Sequence, residues 1–209
     1  MRILAVSLLA GLLAGCATTS GPKPVAASAP PAPALQGGSP EAEGEVKSTY
    51  HAWPGVPTVV SNVTIYDGKG GRIDGGAVRF EKGKVTDIGA SVPTDGATVI
   101  DGTGKWVTPG IIDIHSHLGD YPAPGVPAHS DGNEVTSPVR PEVWAVHSVW
   151  PQDPNFSRAL AGGVTVLHVL PGSANLFGGR GVTLKNVYGR TAQDMMMPDA
   201  PWTLKMACG

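Results

Sequence analysis

The chain has 209 residues, of which 15% are charged against about 25% in an average globular protein, and it contains 29 Gly and 20 Pro. Its 15 basic and 17 acidic residues give a formal charge of −2, which excludes the concentrated positive charge that nucleic-acid binding requires. The length allows one full domain or two small ones, and no apolar run reaches the roughly 20 residues of a membrane-spanning helix.

The first 16 residues have the features of an export signal, because Arg2 precedes a short apolar stretch that ends in the sequence LAGC at Cys16. This ending resembles the lipobox of bacterial lipoproteins, in which the cysteine receives lipid and becomes the mature N-terminus. The resemblance implies lipidation at Cys16, a membrane attachment through the lipid, and, with Ala17 next, the periplasmic side of the outer membrane. An ordinary cleaved signal, which would leave a soluble periplasmic protein, is the alternative.

Residues 17–50 are predicted to form a disordered tether rich in Ala, Pro, Ser and Gly. The segment contains too few apolar side chains to offset the entropy lost on ordering. The other cysteine, Cys208, is then left without an intrachain partner, so no disulfide framework is expected.

Residues 51–106 alternate between short apolar runs and turn residues, which predicts β-hairpins. The turn sequence DGKGG at residues 67–71 lacks the alternating carboxylates and closing Glu of a calcium loop, so it is interpreted as a plain turn. This region is predicted to be a small β-sandwich part.

The pattern changes after Lys105, where residues 111–118 form a nearly continuous apolar run. Such runs are typical of strands buried on both faces in parallel α/β sheets. Further elements follow in chain order: a loop over 119–141, helices over 141–150 and 155–160, a strand over 164–170, a Gly-rich loop over 171–181, and strands over 182–185 and 202–206. Strands that alternate with loops or helices predict βα units.

His115 and His117 lie at the end of the first of these strands. Side chains alternate across a strand, so both imidazoles project from the same face about 6.7 Å apart, close enough to bind one metal ion. For the triplet alone, a solvated or core-buried histidine pair is the alternative.

The string VTPGIIDIHSH over residues 107–117, preceded by hairpins and VIDGTGK, closely resembles the amidohydrolase superfamily. In that family the pattern PGxIDxHxH lies on strand 1 of a (β/α)8 barrel that follows a β-sandwich piece. Residues 161–166 look like the second barrel strand, and residues 171–179 and 204–207 resemble periplasmic imidazolonepropionase-like and prolidase-like members. The resemblance covers roughly residues 57–209.

The resemblance implies a hydrolase that cuts an amide, peptide or cyclic amide bond of a small-molecule or peptide substrate. One or two divalent metals, usually zinc, would activate the attacking water. His115 and His117 would be metal ligands, whereas Asp113 would be structural. Lys205 would be a carboxylated lysine that bridges two metals, with an ordinary strand lysine as the alternative. The assignment is compatible with an oligomer.

The other histidines, the glycines after residue 170 and Ser173 are not predicted to be site residues. His168 is interpreted as a satisfied histidine of the core or barrel lining, and metal binding is not expected of His51, His129 or His147. The glycines after residue 170 form neither a dinucleotide fingerprint nor a phosphate loop, and Ser173 has no nucleophile elbow around it.

A complete barrel needs about 250 residues, so residues 107–209 are expected to form its first half. The resemblance implies a general-base Asp and two further histidines beyond Gly209. A lipid-anchored binding or scaffold remnant without catalytic activity is the alternative function.

Overall fold

The computed structural model describes residues 46–208. The predicted signal with Cys16, and most of the predicted tether, lie outside the described residues. Within residues 46–208, no helix combines the length and the apolar character needed to cross a membrane. Cys208 is exposed and its thiol is free.

The first part of the described chain is one five-stranded sheet. Its strands are β1 (Thr58–Tyr66), β2 (Arg72–Glu81), β3 (Lys84–Gly89), β4 (Thr98–Asp101) and β5 (Trp106–Val107), in the order β3-β2-β1-β4 with β5 beside the end of β1. β1 pairs antiparallel with β2, and β2 with β3, whereas β4 and β5 run parallel to β1. The predicted hairpins are therefore present.

The turn between β1 and β2 is built on Asp67. Its carboxylate accepts backbone hydrogen bonds from Lys69 at 2.7 Å and from Gly71 at 2.9 Å, which lowers the pKa of Asp67. The carboxylate thus closes its own turn, and the segment is a plain turn, as predicted.

This sheet has a small core that leaves several of its apolar side chains exposed. Val63, Ile65 and Val78 form the core, whereas Ile88 and Ile100 are about half exposed and Trp106 is 71% exposed. The described residues supply a single layer here, so the second layer of the predicted sandwich stays a prediction.

The second part is a mixed four-stranded sheet with short helices. Its strands are β6 (Ile111–Ser116), β7 (Val164–Val169), β8 (Phe177–Lys185) and β9 (Thr203–Met206), in the order β6-β7-β8-β9. Helix α1 (Pro154–Ala161) connects β6 to β7, and the four-residue helix α2 (Ala192–Met195) lies between β8 and β9. The described residues thus form a strand-rich α/β structure.

The predicted βα alternation is correct for β6, α1 and β7 but wrong for β8. β6 and β7 are parallel, whereas β8 is antiparallel to both β7 and β9. The short connection between β7 and β8 contains no helix, so the chain reverses direction there. β8 also begins at Phe177, inside the segment predicted to be a Gly-rich loop.

The helix predicted over residues 141–150 is not formed. Trp144 is extended and makes a β-bridge with Arg180, and only Ala145–His147 forms a single 3₁₀ turn. Pairing with β8 uses backbone groups that a helix would need for its own hydrogen bonds.

Asp153 links the long loop after β6 to the start of α1. This buried carboxylate accepts from Asn155 at 3.0 Å as the helix N-cap, and from Gly119 and Ala123 in the loop, both at 3.2 Å. Three otherwise unpaired backbone N–H groups are satisfied by one side chain.

The apolar core of this part contains Phe156 of α1, Leu167 and Val169 of β7, and Leu184 of β8, all buried. The end of the predicted tether also packs here. Thr49 donates its backbone N–H to Gln193 at 3.0 Å, and the Ser48 hydroxyl donates to the Met196 carbonyl at 2.7 Å. Residues 46–50 are therefore attached to the folded part.

Candidate active site

Residues 170–172, which follow β7, anchor two side chains of the candidate site. The Leu170 carbonyl accepts a hydrogen bond from Nδ1 of His117 at 2.8 Å, and the next carbonyl, of Pro171, accepts from Nζ of Lys205 at 3.0 Å. The segment is itself held in place, because Leu170 donates to the Ser116 carbonyl and Gly172 to the Gly132 carbonyl. Two side chains 88 positions apart are thus brought to adjacent peptide groups.

The hydrogen bond to Leu170 determines the tautomer of His117. A carbonyl only accepts, so Nδ1 must carry the proton and Nε2 keeps its lone pair in the neutral ring. The His115 ring contacts it, with ring centroids 5.2 Å apart and planes at 75°. His117 is half-buried and His115 is exposed. A histidine whose other nitrogen donates to a carbonyl is oriented as metal ligands commonly are.

Lys205 is a buried amine on β9, with 7% of its surface exposed. Burial lowers the pKa of its amine, because the charged form is poorly solvated there. No carboxylate within residues 46–208 forms an ion pair with it, and the Pro171 carbonyl is its hydrogen-bond acceptor. The stem of the lysine lies beside Gly178 of β8.

Asp113 and His168, which the sequence assigned to structural roles, have partners of their own. A carboxylate oxygen of Asp113 accepts the backbone N–H of His115 at 3.1 Å. The two ring nitrogens of His168 lie 3.0 Å from the Thr183 hydroxyl and 2.8 Å from the Thr203 hydroxyl. Burial, together with the nearby charge of His115, lowers the pKa of His168 and favours its neutral form.

The remaining histidines lie against aromatic side chains or are exposed. His129 packs on Trp150 and His147 on Trp144, with ring centroids 4.7 and 6.4 Å apart, and His51 is exposed.

The donor set for a cation consists of two imidazoles and one amine. Within residues 46–208 no three His, Cys, Asp or Glu side chains are grouped closely enough to hold a metal ion. The set nevertheless fits a divalent metal, because the tautomer of His117 leaves Nε2 free to coordinate and burial lowers the pKa of the Lys205 amine, which favours its uncharged form.

Tyr121 is a site residue that the sequence analysis missed. Its ring contacts the His117 ring edge to face, with centroids 5.7 Å apart and planes at 82°. Its phenol oxygen accepts a hydrogen bond from Nδ2 of Asn133. Both residues lie in the loop over 119–141, where no periodic pattern indicates which side chains face the histidines.

Asp120, also missed, is a fully buried carboxyl group directly behind His117. Its backbone N–H donates to the His117 carbonyl at 3.1 Å, and Oδ1 accepts from the Ser148 hydroxyl at 2.9 Å. Oδ2 has no partner within the described residues. Burial, with a smaller contribution from Asp131, raises the pKa of Asp120 to about 7 although the Ser148 bond opposes the shift.

Comparison with known proteins finds relatives that share part of the chain. No family model matches the chain. The chain is 35% identical over 147 residues to amidohydrolase tasK of Hapsidospora irregularis, covering 64% of this chain and 15% of that protein. It is 34% identical over 107 residues to a 5-methylthioadenosine/S-adenosylhomocysteine deaminase of Halalkalibacterium halodurans, covering 48% and 22%.

Among solved structures, an amidohydrolase from Thermotoga maritima matches with a TM-score of 0.67 and 39% identity, over 73% of this chain and 39% of that one. The chain thus spans well under half the length of each of these three proteins.

Asp120 is expected to make stability depend on pH. Its folded pKa of about 7 lies above the ordinary value of 3.8, so the folded state binds a proton that the unfolded state has lost between these pH values. Stability from this group therefore falls as pH rises from about 4 to 7. Asp120→Asn should be more stable than wild type at pH 8, by on the order of 4 kcal/mol, with the gain shrinking toward pH 4.

Urea unfolding between pH 4 and 8 measures this difference. Asp95→Asn, which removes an exposed carboxylate of the first sheet, controls for the change in net charge. An Asp120→Asn stability profile parallel to that of wild type would contradict the assignment.

Proposed function

The chain belongs to the amidohydrolase superfamily, and we propose that it forms the first part of a metal-dependent hydrolase that cuts a carbon–nitrogen bond. The substrate class is an amide, peptide or cyclic amide of small size. The observation that carries the proposal is the convergence of His117 and Lys205 on adjacent carbonyls beside His115. The amidohydrolase and deaminase names of its relatives support the same class of bond.

We infer that the second sheet belongs to a closed (β/α)8 barrel. β6 is an edge strand of this sheet within the described residues, and Ile111, Ile112 and Ile114 are 53–75% exposed on it. A further strand paired with β6 and helices packed outside it would cover these side chains, as in barrels generally. The exposed apolar side chains of the first sheet, Ile88, Ile100 and Trp106, support a second sandwich layer in the same way.

His115 and His117 are proposed to hold the cation. His117 would coordinate through Nε2, because Nδ1 donates to Leu170, and His115 would coordinate from the same strand face. When bound, a divalent metal such as zinc supplies Lewis-acid chemistry, which polarises a carbonyl and acidifies water. One or two ions are compatible with the donors described, and the general-base carboxylate is proposed to come from outside residues 1–209.

Lys205 is proposed to be carboxylated. The lowered pKa of its amine increases the fraction that carries a lone pair at neutral pH. The lone pair attacks the carbon of carbon dioxide, a nitrogen–carbon bond forms as one C=O π bond breaks onto oxygen, and a proton leaves the nitrogen for solvent. The product is a carbamate whose single negative charge is shared by two oxygens. The carbamate nitrogen keeps one hydrogen, which can still donate to the Pro171 carbonyl. Its oxygens would suit a bridge between two cations.

The histidine pair, His115 and His117, gives the first test. In the complete protein, metal analysis should find a stoichiometric divalent ion in wild type and a large loss in the His115→Ala/His117→Ala double variant, with hydrolysis lost as well. His51→Ala, which removes an exposed histidine, is the matched control. Equal metal content in the double variant and wild type would refute the ligand assignment, and metal-free, inactive wild type would favour the non-catalytic remnant.

Lys205→Ala should lose one metal and most activity if the carbamate bridges two ions. A short-chain carboxylic acid should partly restore both, because it can fill the vacated space with a carboxylate. Carbon-13 NMR after exposure to labelled bicarbonate should show a carbamate signal in wild type, and Lys185→Ala, on neighbouring β8, should keep that signal. A Lys205→Ala protein with full metal content and normal turnover would leave Lys205 as a structural strand residue.

We also propose that Cys16 carries lipid and attaches the protein to the periplasmic side of the outer membrane. The LAGC sequence at the end of an export signal supports this. Wild-type protein produced in a Gram-negative host should sediment with outer membranes and show the mass of an acylated N-terminus. Cys16→Ala should show neither, with Cys208→Ala as the control. A soluble, unacylated wild type would overturn the anchor and favour a soluble periplasmic protein.

A further inference from the structure

The phenol of Tyr121 lies at the end of a row of three rings. The His117 ring contacts His115 on one side and Tyr121 on the other, with centroid distances of 5.2 and 5.7 Å. The Tyr121 side chain therefore borders the histidine pair at which the proposed metal and substrate would bind.

The position of this phenol is fixed by two glycines. A β-carbon on Gly172 would lie 2.7 Å from the Tyr121 hydroxyl, and one on Gly132 would overlap its ring. The two glycines are joined by a backbone hydrogen bond of 2.7 Å, from the Gly172 N–H to the Gly132 carbonyl. Gly172 directly follows Pro171, whose carbonyl binds Lys205. The phenol is thus held against the same short segment that positions His117 and Lys205.

The hydrogen bonding of the phenol leaves its proton available. Asn133 donates to the phenol oxygen, so this oxygen acts as an acceptor toward the protein. Within residues 46–208 the phenol O–H donates to no side chain or backbone group. An ordinary phenol carries its proton at neutral pH. A hydroxyl whose oxygen already accepts a hydrogen bond is a stronger donor.

We propose that Tyr121 is a catalytic residue that donates a hydrogen bond to the carbonyl oxygen of the scissile bond as negative charge develops there. Asn133 is a positioning residue, which acts only through the phenol. The role rests on the proposed hydrolase function. It requires no change in covalent bonding at Tyr121, because the proton stays on the phenol while the hydrogen bond shortens. Donors placed where charge develops in the transition state lower the barrier more than they tighten substrate binding.

The test compares Tyr121→Phe with wild type in the complete, metal-loaded protein, on an amide that wild type hydrolyses. Phenylalanine keeps the ring contact with His117 and removes only the hydroxyl. We expect kcat to fall about 100-fold, with KM and metal content little changed. A phosphonate analogue of the same amide, which mimics the tetrahedral transition state, should bind more weakly by a similar factor in calorimetry. Tyr188→Phe, which alters a tyrosine that is 74% exposed, is the matched control.

Asn133→Ala provides an independent measurement that leaves Tyr121 in place. It should lower kcat about 10-fold, and it should cause little further loss when combined with Tyr121→Phe, because both act through one hydroxyl. This variant keeps the inference testable even where Tyr121→Phe folds poorly.

Three outcomes would overturn the inference. Normal kcat in Tyr121→Phe, or in Asn133→Ala, would show that the phenol makes no contact with the reacting group. Loss of metal in Tyr121→Phe would show that the tyrosine only supports His117. A wild-type protein that hydrolyses no amide and binds no phosphonate would refute the proposed function, and the inference with it. If wild type is active and Tyr121→Phe is equally active, only the inference is refuted.

Discussion

Two adjacent carbonyl groups after β7 determine the arrangement of the candidate site. The carbonyls of Leu170 and Pro171 accept hydrogen bonds from His117 and Lys205, so a strand-end histidine and a lysine from β9 are held side by side. The Gly172 N–H continues the segment by donating to Gly132, which also positions the Tyr121 ring. Because a carbonyl only accepts, the same contacts select the tautomer of the imidazole and leave one nitrogen free.

The buried and half-buried polar groups around this segment differ in how many hydrogen-bond or ion-pair partners they have. His168 has both ring nitrogens within hydrogen-bond distance of threonine hydroxyls, and burial, with the charge of His115, lowers the pKa of this half-buried ring. Lys205 has one carbonyl partner and no ion pair within the described residues, and Asp120 keeps an oxygen without a partner. Buried groups with incomplete partners change protonation readily, and they concentrate at reactive sites.

β8 separates Lys205 on β9 from the end of β7. β8 is antiparallel to both neighbours, so β9 runs in the same direction as β6 and β7. The Nζ atom of Lys205 reaches the Pro171 carbonyl after β7, and its stem lies beside Gly178 of β8. Lys205 therefore enters the candidate site from two strands away.

The sequence by itself determined the features that depend on local geometry. Strand alternation placed His115 and His117 on one face, the Asp67 turn followed from a short polar pattern, and the motif at residues 107–117 identified the superfamily. The tertiary structure decided the rest: the direction of β8, the approach of Lys205 to Pro171, the burial of Asp120 and the contact of Tyr121 with His117. These depend on which distant segments pack together. Backbone periodicity shows the face on which a side chain lies, but not the neighbour that it meets across the fold.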